Sequence, residues 1–291
     1  MEFRGNIVAL VTPLRNGSVD APALQRLIDR VIAGGVAAVV PCGTTGESPT
    51  LSHDEHDEVV ALTVQAVRGR VPVIAGTGSN STAEAIRLTR AAARAGAKAA
   101  LSVNPYYNRP SQAGLVRHFL AIAEASEIPI VLYNIPGRCA VELSLETIVE
   151  LARHPNVRAI KEATGNVENV TRIRAATPLA VLSGDDSLTL PMMALGASGV
   201  VSVLANLAPA AMTRLVGHIV HGELPAAREL HDRLHPVMKA LFVETNPVPI
   251  KTALAHLGLM AEEFRLPLCA LREENRRILL AALDAARGEL H

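Results

Sequence analysis

The 291 residues include no tryptophan, only four phenylalanines and three tyrosines. Aromatics make up 2% of a chain that is 49% hydrophobic, so Ala, Val, Leu and Ile have to fill the core of its one or two domains. Net charge is also missing. With 28 basic and 28 acidic side chains, the chain has no electrostatic footprint for nucleic acid or for an anionic membrane surface. Cysteines are few and far apart: Cys42, Cys139 and Cys269 make neither a disulfide framework nor a zinc site, and they read as reduced thiols of a cytoplasmic protein. The opening MEFRGNIVALVTPL is too short in its apolar stretch, and broken too early by Pro13, for a signal peptide. One uncharged run, Ser187 to Thr213, has the length of a membrane span. Pro191, Gly196, Gly199, Asn206 and Pro209 cut it into short pieces, so it reads as a buried strand between helices.

What remains is a regular alternation. Short apolar runs at Asn6–Val11, Val36–Pro41, Val71–Ala75, Ala97–Val103, Pro129–Tyr133, Val157–Lys161, Leu179–Ser183 and Gly199–Val203 predict eight strands. Each is a continuous apolar run, as expected for strands covered on both faces. Segments with helical spacing lie between them, among them Ala21–Ala33, Ser52–Arg68, Thr82–Ala95, Gln112–Ala125 and Leu145–Arg153. Ser52 with Glu55 is a capping box, Ser144 opens its helix, and Gly34-Gly35 and Gly96 close theirs. Eight strand–helix repeats predict an α/β fold, a closed (β/α)8 TIM barrel. An open doubly wound sheet fits less well, because the first strand–helix turn lacks a G-x-G-x-x-G loop. Beyond residue 222 the strand signals stop. Glu223–Val243, Pro249–Leu257 and Leu271–Arg287 predict a three-helix extension, dividing the chain into a barrel at 1–222 and a helical region at 223–291.

In such a barrel the chemistry sits at the carboxyl ends of the strands. The second strand runs into GTTGES (Gly43–Ser48), which reads either as a cradle for a carboxylate or phosphate or as a plain Gly-rich turn. The fifth ends in Tyr133-Asn134 followed by IPGR, offering Tyr133 for proton transfer and Arg138 for a substrate carboxylate; rim packing is the simpler alternative. The sixth ends in Lys161. The chain uses 24 arginines and only four lysines (Lys98, Lys161, Lys239, Lys251). Arginine cannot replace an amine that attacks carbonyls, whereas a lysine where an apolar strand meets the mouth suits a Schiff base better than an ion pair with Glu162. Lys98, Lys239 and Lys251 are placed less favourably. His53 and His56 share a helix start at a metal-like spacing, but no third ligand of similar character lies nearby. Asp186, after the seventh strand, is expected to cap the next helix.

Together these residues carry a resemblance. LVTPL near the start, GTTGES at 43–48, VIAGTGSN at 73–80, NPYYNRPSQ at 104–112, YNIPGR at 133–138, IKEATGN at 160–166, LSGDD at 182–186 and NPVPIK at 246–251 resemble, in order and spacing, the dihydrodipicolinate synthase family of pyruvate-dependent Schiff-base lyases. The resemblance spans essentially the whole chain. It implies that Lys161 forms an imine with pyruvate and that the derived enamine attacks L-aspartate 4-semialdehyde, giving a heterocyclic precursor of diaminopimelate and lysine. No metal or organic cofactor is implied, since the protonated imine is itself the electron sink. Thr45 holds the pyruvate carboxylate in this picture, while Tyr133, Thr44 and Tyr107 relay protons. Arg138 positions the relay and binds the semialdehyde carboxylate, and Gly184 and Val201 line the site. Tyr107 reaches into the adjacent subunit, which implies a homo-oligomer, commonly a dimer of dimers forming a tetramer. His53, His56, Asn80, Glu84 and Tyr106 match an interface site for the inhibitor L-lysine.

Two departures stand out. Cys139-Ala140 follows Arg138 where Thr-Gly or a similar pair is usual, and Thr245 replaces a frequent proline. The first borders the second-substrate region. The nearest rivals on the same scaffold are N-acetylneuraminate lyase and 2-keto-3-deoxy sugar acid aldolases, which generally lack the arginine after YNIP and the second tyrosine of the YY pair. A catalytically silent barrel binding a small acid is the rival of another class.

Overall fold

The computed structural model describes residues 1–290. Eight parallel strands form the barrel: β1 Gly5–Ala9, β2 Ala38–Val40, β3 Ile74–Gly76, β4 Ala99–Val103, β5 Ile130–Asn134, β6 Val157–Glu162, β7 Ala180–Ser183 and β8 Gly199–Ser202. Each pairs with its neighbour in chain order, and β8 returns to β1 with Ile7 opposite Val201. The remaining seam between β2 and β3 is closed by a parallel bridge, Val39 to Val73. The fold is the expected (β/α)8 barrel.

A helix follows every strand: α1 Ala21–Ala33, α2 His53–Val67, α3 Thr82–Ala95, α4 Gln112–Glu124, α5 Leu145–Leu151, α6 Glu168–Ala176, α7 Thr189–Ala194 and α8 Pro209–Val220. Three more succeed them, α9 Leu224–Ala240, α10 Val248–His256 and α11 Glu273–Ala285, at the places the sequence pattern gives. The uncharged run from Ser187 resolves into α7, β8 and the start of α8: Gly196, in left-handed backbone (φ 97°), follows α7 and Gly199 opens β8, whereas Pro191 lies inside α7. Among the described residues, no helix is long and apolar enough to cross a membrane. A two-residue-per-strand hairpin, Leu14–Arg15 with Ser18–Val19, was not legible from hydrophobic pattern.

Local signals act as their chemistry dictates. Ser52 Oγ accepts from Glu55 N, and the Glu55 carboxylate accepts from Ser52 N, completing the capping box. Gly35 and Gly96 take left-handed backbone (φ 79° and 98°), which a β-carbon disfavours.

The barrel interior is built from small aliphatics. Ile7, Ala9, Ala38, Val40, Ile74, Ala99, Leu101, Val131, Ala159, Leu182 and Val201 form one apolar lining, with Phe3 at the amino end and Tyr133 at the carboxyl end. The alternate residues Val8, Val39, Ala100, Leu132, Ile160, Val181 and Val200 point outward into a second, larger cluster beneath the helices, which includes Leu230, Leu254 and Leu279 of α9–α11. One strand breaks the alternation. In β6 the register against β5 shifts between Ile130 and Val131, so Arg158 is the extra, exposed residue of a bulge. Val157 thus packs outward while Ala159 lines the interior.

The reading of Asp186 needs correction. Asp185 makes the local turn, its Oδ1 accepting from Ser187 N at 2.9 Å. Asp186 is instead buried, and its Oδ2 accepts from Val203 N at 3.0 Å and Leu204 N at 2.9 Å, capping the turn after β8. Sequence distance hid this partner. Burial, partly countered by those hydrogen bonds, pushes the Asp186 carboxyl up to about 6. Between its ordinary 3.8 and that value the native chain keeps a proton the unfolded chain has released, so this group's contribution to stability falls as pH rises through the interval. Asp186→Asn, which keeps an acceptor oxygen, is expected to flatten the stability–pH profile between about pH 4 and 6 in urea denaturation. An unchanged slope would count against this account.

Candidate active site

Lys161 lies at the carboxyl end of β6, opposite Tyr133 of β5 and Leu182 of β7. It is only 6% exposed, and its Nζ stands 4.1 Å from the Tyr133 ring centroid. Glu162 is not its ion-pair partner: the neighbouring carboxylate faces outward and accepts from Asn134 Nδ2 and Thr164 N. Among the described residues no salt bridge reaches Lys161. Gly184 makes room beside it, since a β-carbon there would come within 3.1 Å of Lys161 Cε and 2.6 Å of Ala163 Cβ. Val201 belongs to the same inner lining as Tyr133.

A cavity of about 200 Å³ opens at this mouth, lined by Gly43, Thr44, Gly76, Tyr106, Tyr133, Arg138 and Cys139 among others. GTTGES folds as two tight helical turns joined at Glu47, whose backbone is left-handed (φ 55°). Gly76 is obligatory behind it, because a β-carbon would meet Cys42 O at 2.2 Å. Thr45 is buried, and its Oγ1 accepts from Asn246 Nδ2 at 3.0 Å. Arg138 projects from a short turn, Pro136–Cys139, and its Nη2 donates to Asn246 O at 3.1 Å. Asn246 therefore ties the Thr45 loop to the Arg138 loop. NPVPIK marked its place in the sequence, but nothing local gave it these partners. Ala140 takes left-handed backbone (φ 56°), a conformation that glycine would adopt without the penalty of a β-carbon. The cavity cysteines are held as thiols: burial pushes Cys139 up to about 11 and Cys42 higher still.

Lys251, placed in the tail by sequence, turns out to serve the site. It is fully buried and ion-paired with Glu47 Oε1, while Glu47 Oε2 accepts from Arg265 N at 3.3 Å. Burial pushes the lysine down from its ordinary value, and the Glu47 charge opposes that shift. Arg265 also clamps Glu55, holding that carboxyl down at about 2. The carboxyl-terminal segment thus grips both the GTTGES loop and the start of α2.

Tyr107 does not enter the cavity of its own chain. It is 92% exposed with left-handed backbone (φ 71°). A second cavity, of about 400 Å³, is lined by His53, His56, Glu84, Leu88 and Tyr106, and shares Ser48, Pro49, Gly76, Gly78 and Tyr106 with the first. His53 Nε2 lies 2.6 Å from Glu84 Oε1, and His56 Nε2 lies 2.8 Å from Gly76 O. Hydrogen bonds from Ser79 and His53 lower the Glu84 carboxyl, and burial lowers His56. Asn80 is not among the lining residues; its carbonyl accepts from Asn108 Nδ2.

A (β/α)8 barrel with a buried lysine beside a tyrosine at the strand ends places an amine and a phenol together where barrel enzymes carry their active sites. The model of the dihydrodipicolinate synthetase family matches residues 2–286. The 4-hydroxy-tetrahydrodipicolinate synthase of Pelobacter propionicus is 52% identical over 285 residues, covering 97% of this chain and 98% of that protein. Among solved structures, the chloride-inhibited dihydrodipicolinate synthase from Acinetobacter baumannii complexed with pyruvate superposes with a TM-score of 0.95 at 46% identity, over 98% of this chain and 99% of that one. DHDPS from Cyanidioschyzon merolae with lysine bound gives 0.95 at 43% identity, over 98% of each chain. The chain belongs to the dihydrodipicolinate synthetase family and is a lyase.

The buried ion pair gives a test of how the loop is held. Glu47→Ala leaves Lys251 without a partner in an apolar setting, and should cost about 3–5 kcal/mol of stability. Glu47→Ala combined with Lys251→Met removes both charges and should recover most of that loss in the urea midpoint.

Proposed function

We propose that this lyase condenses pyruvate with L-aspartate 4-semialdehyde through an imine on Lys161, giving 4-hydroxy-tetrahydrodipicolinate for diaminopimelate and lysine synthesis. The observation that carries the reading is a buried Lys161, with no salt bridge among the described residues, against the ring of Tyr133, which itself lines the cavity with Thr44 and Arg138.

In this mechanism neutral Lys161 Nζ attacks the pyruvate carbonyl carbon, and Tyr133 delivers the proton that lets the carbinolamine lose water. The protonated imine then acidifies the methyl group, and loss of a methyl proton gives the enamine. Its terminal carbon attacks the semialdehyde carbonyl, forming the new C–C bond. The amino group of the second substrate next displaces Lys161 from the imine carbon, closing the ring and freeing the enzyme amine. Thr45 and its backbone neighbours hold the pyruvate carboxylate. Thr44 links Tyr133 to Tyr107, which comes from an adjacent copy of the chain. The 92% exposure of Tyr107 leaves it free for that role, and the reading includes a homo-oligomer, a dimer of dimers. Arg138 positions the relay and takes the semialdehyde carboxylate through charge-assisted hydrogen bonds. Gly184 and Val201 line the site by their backbones. The imine is the electron sink, so the reaction needs no metal or organic cofactor. The reaction is assigned to the cytoplasm.

Borohydride treatment with pyruvate should leave one reduced pyruvate adduct on Lys161 by intact mass, and none in Lys161→Ala. Lys161→Ala and Tyr107→Phe, each impaired alone, should regain activity when mixed under subunit exchange. A pyruvate adduct combined with activity only toward sugar-derived aldehydes would sink the choice of second substrate.

L-Lysine is proposed to inhibit at the second cavity, where Glu84 meets its ammonium and His53, His56 and Tyr106 surround it, with Asn80 outside the lining. The wall shared with the first cavity, including Tyr106, gives a short route for coupling. Glu84→Ala should weaken L-lysine inhibition by about tenfold or more, the loss of one charge-assisted contact. The KM for pyruvate should stay near the parent value. Inhibition that survives Glu84→Ala unchanged would place L-lysine elsewhere.

A further inference from the structure

Each catalytic candidate on β5 and β6 is followed by a polar residue on the opposite face of the strand. Tyr133 and Lys161 point inward; Asn134 and Glu162 point outward and are essentially inaccessible, at 0% and 1% exposure. These outward residues join in one hydrogen-bonded line. Thr164 N donates to Glu162 Oε1 at 2.9 Å, and Asn134 Nδ2 donates to Glu162 Oε2 at 3.1 Å. Asn134 Oδ1 in turn accepts from Leu143 N and from Asn104 Nδ2, each at 3.1 Å. Asn104 Nδ2 also donates to Val141 O at 3.2 Å.

The polarity of this line is not free. Its ends are backbone groups of fixed character, N–H donors at Thr164 and Leu143 and a carbonyl acceptor at Val141. Between the two donors the side chains must present acceptor, acceptor, donor, acceptor in order. A carboxylate at 162 accepts on both oxygens, which forces the Asn134 amide to turn its NH2 toward Glu162 and its oxygen toward Leu143. The segment so fixed, Val141–Leu143, closes the loop that starts at Tyr133 and carries Arg138. Asn246 holds the Arg138 guanidinium from the other side.

We propose that Glu162 and Asn134 are positioning residues for Arg138: the outward carboxylate sets the amide orientation that fixes the Arg138 loop, and thereby recognition of the second substrate's carboxylate. The inference rests on the reading of Arg138 given above. The Glu162 carboxylate bonds Asn134 and Thr164, and Glu162 is not among the residues lining the cavity.

Glu162→Gln puts an NH2 against the Asn134 NH2, so one amide must rotate and a donor must then face Leu143 N or Thr164 N. Asn134→Asp alone sets two carboxylates against each other. Glu162→Gln combined with Asn134→Asp restores donor to acceptor at every link, with the charge moved by one position. Steady-state kinetics, borohydride trapping with pyruvate and thermal melting on the full chain separate the roles. We expect Glu162→Gln to raise the KM for L-aspartate 4-semialdehyde about tenfold, the scale of one unsatisfied buried hydrogen bond. The KM for pyruvate and the trapped adduct should stay near parent levels, and the double variant should recover most of the semialdehyde KM.

A parental semialdehyde KM in folded Glu162→Gln overturns the proposal. So does a double variant that melts like the parent yet keeps the raised KM. If Glu162→Gln does not fold, the double variant decides: parental melting with a near-parental semialdehyde KM supports the proposal, and parental melting with a raised one overturns it. Failure of the parent itself to trap pyruvate would instead overturn the Schiff-base reading.

Discussion

A β-strand sends successive side chains to opposite faces, and at the mouth of this barrel that constraint organises the rest. At β5 and β6 it gives Tyr133 and Lys161 to the interior, and Asn134 and Glu162 to the space beneath the helices. The inner pair shares a small aliphatic lining with Leu182 and Val201, where an amine is kept from water and carboxylates are kept away. The outer pair meets backbone groups of neighbouring loops, so the same two strands that present the candidate lysine and tyrosine also hold the loop that carries Arg138. A bulge at Arg158 reconciles the two demands, letting Val157 pack outward while Ala159 and Lys161 face in.

The loops are held from far along the chain. Glu47, in left-handed backbone inside GTTGES, is paired with Lys251 of α10, and Asn246 just before that helix bonds both Thr45 and Arg138. A buried pair of this kind gives little net stability compared with apolar packing, but it strongly penalises arrangements that leave one charge alone. It therefore selects one loop geometry. The three carboxyl-terminal helices share the apolar cluster that surrounds the barrel, and α10 with the segment before it reaches the carboxyl ends of the strands through these polar ties.

Much of the fold was legible because its signals are local. Eight apolar runs, the Ser52–Glu55 box and the terminating glycines each report on a few neighbouring residues, and each appears where the pattern places it. Lys161 and Tyr133 were legible for a related reason: a reactive side chain at the end of an apolar run is conspicuous. The short hairpin at Leu14–Val19 lacked enough alternation to register. Asp186 misled because a carboxylate near a helix start has an obvious local use, whereas its actual partners, Val203 N and Leu204 N, lie on the next strand's turn. Lys251 and Asn246 carry no local sign of their roles, because Glu47 and Thr45 stand about 200 residues away in the chain.

Thus the sequence by itself determined the class of the molecule, the count and order of its strands, and the identity of the amine and phenol at the barrel mouth, since periodicity and residue chemistry act over short spans. The tertiary structure alone decided which polar groups meet. It paired Lys251 with Glu47 rather than leaving it on the surface. It turned Glu162 away from Lys161 and toward Asn134, and it left Tyr107 outside its own chain's cavity. The physical reason is that a hydrogen bond or ion pair depends on proximity and orientation in three dimensions, and pattern along the chain specifies neither for residues brought together by barrel closure.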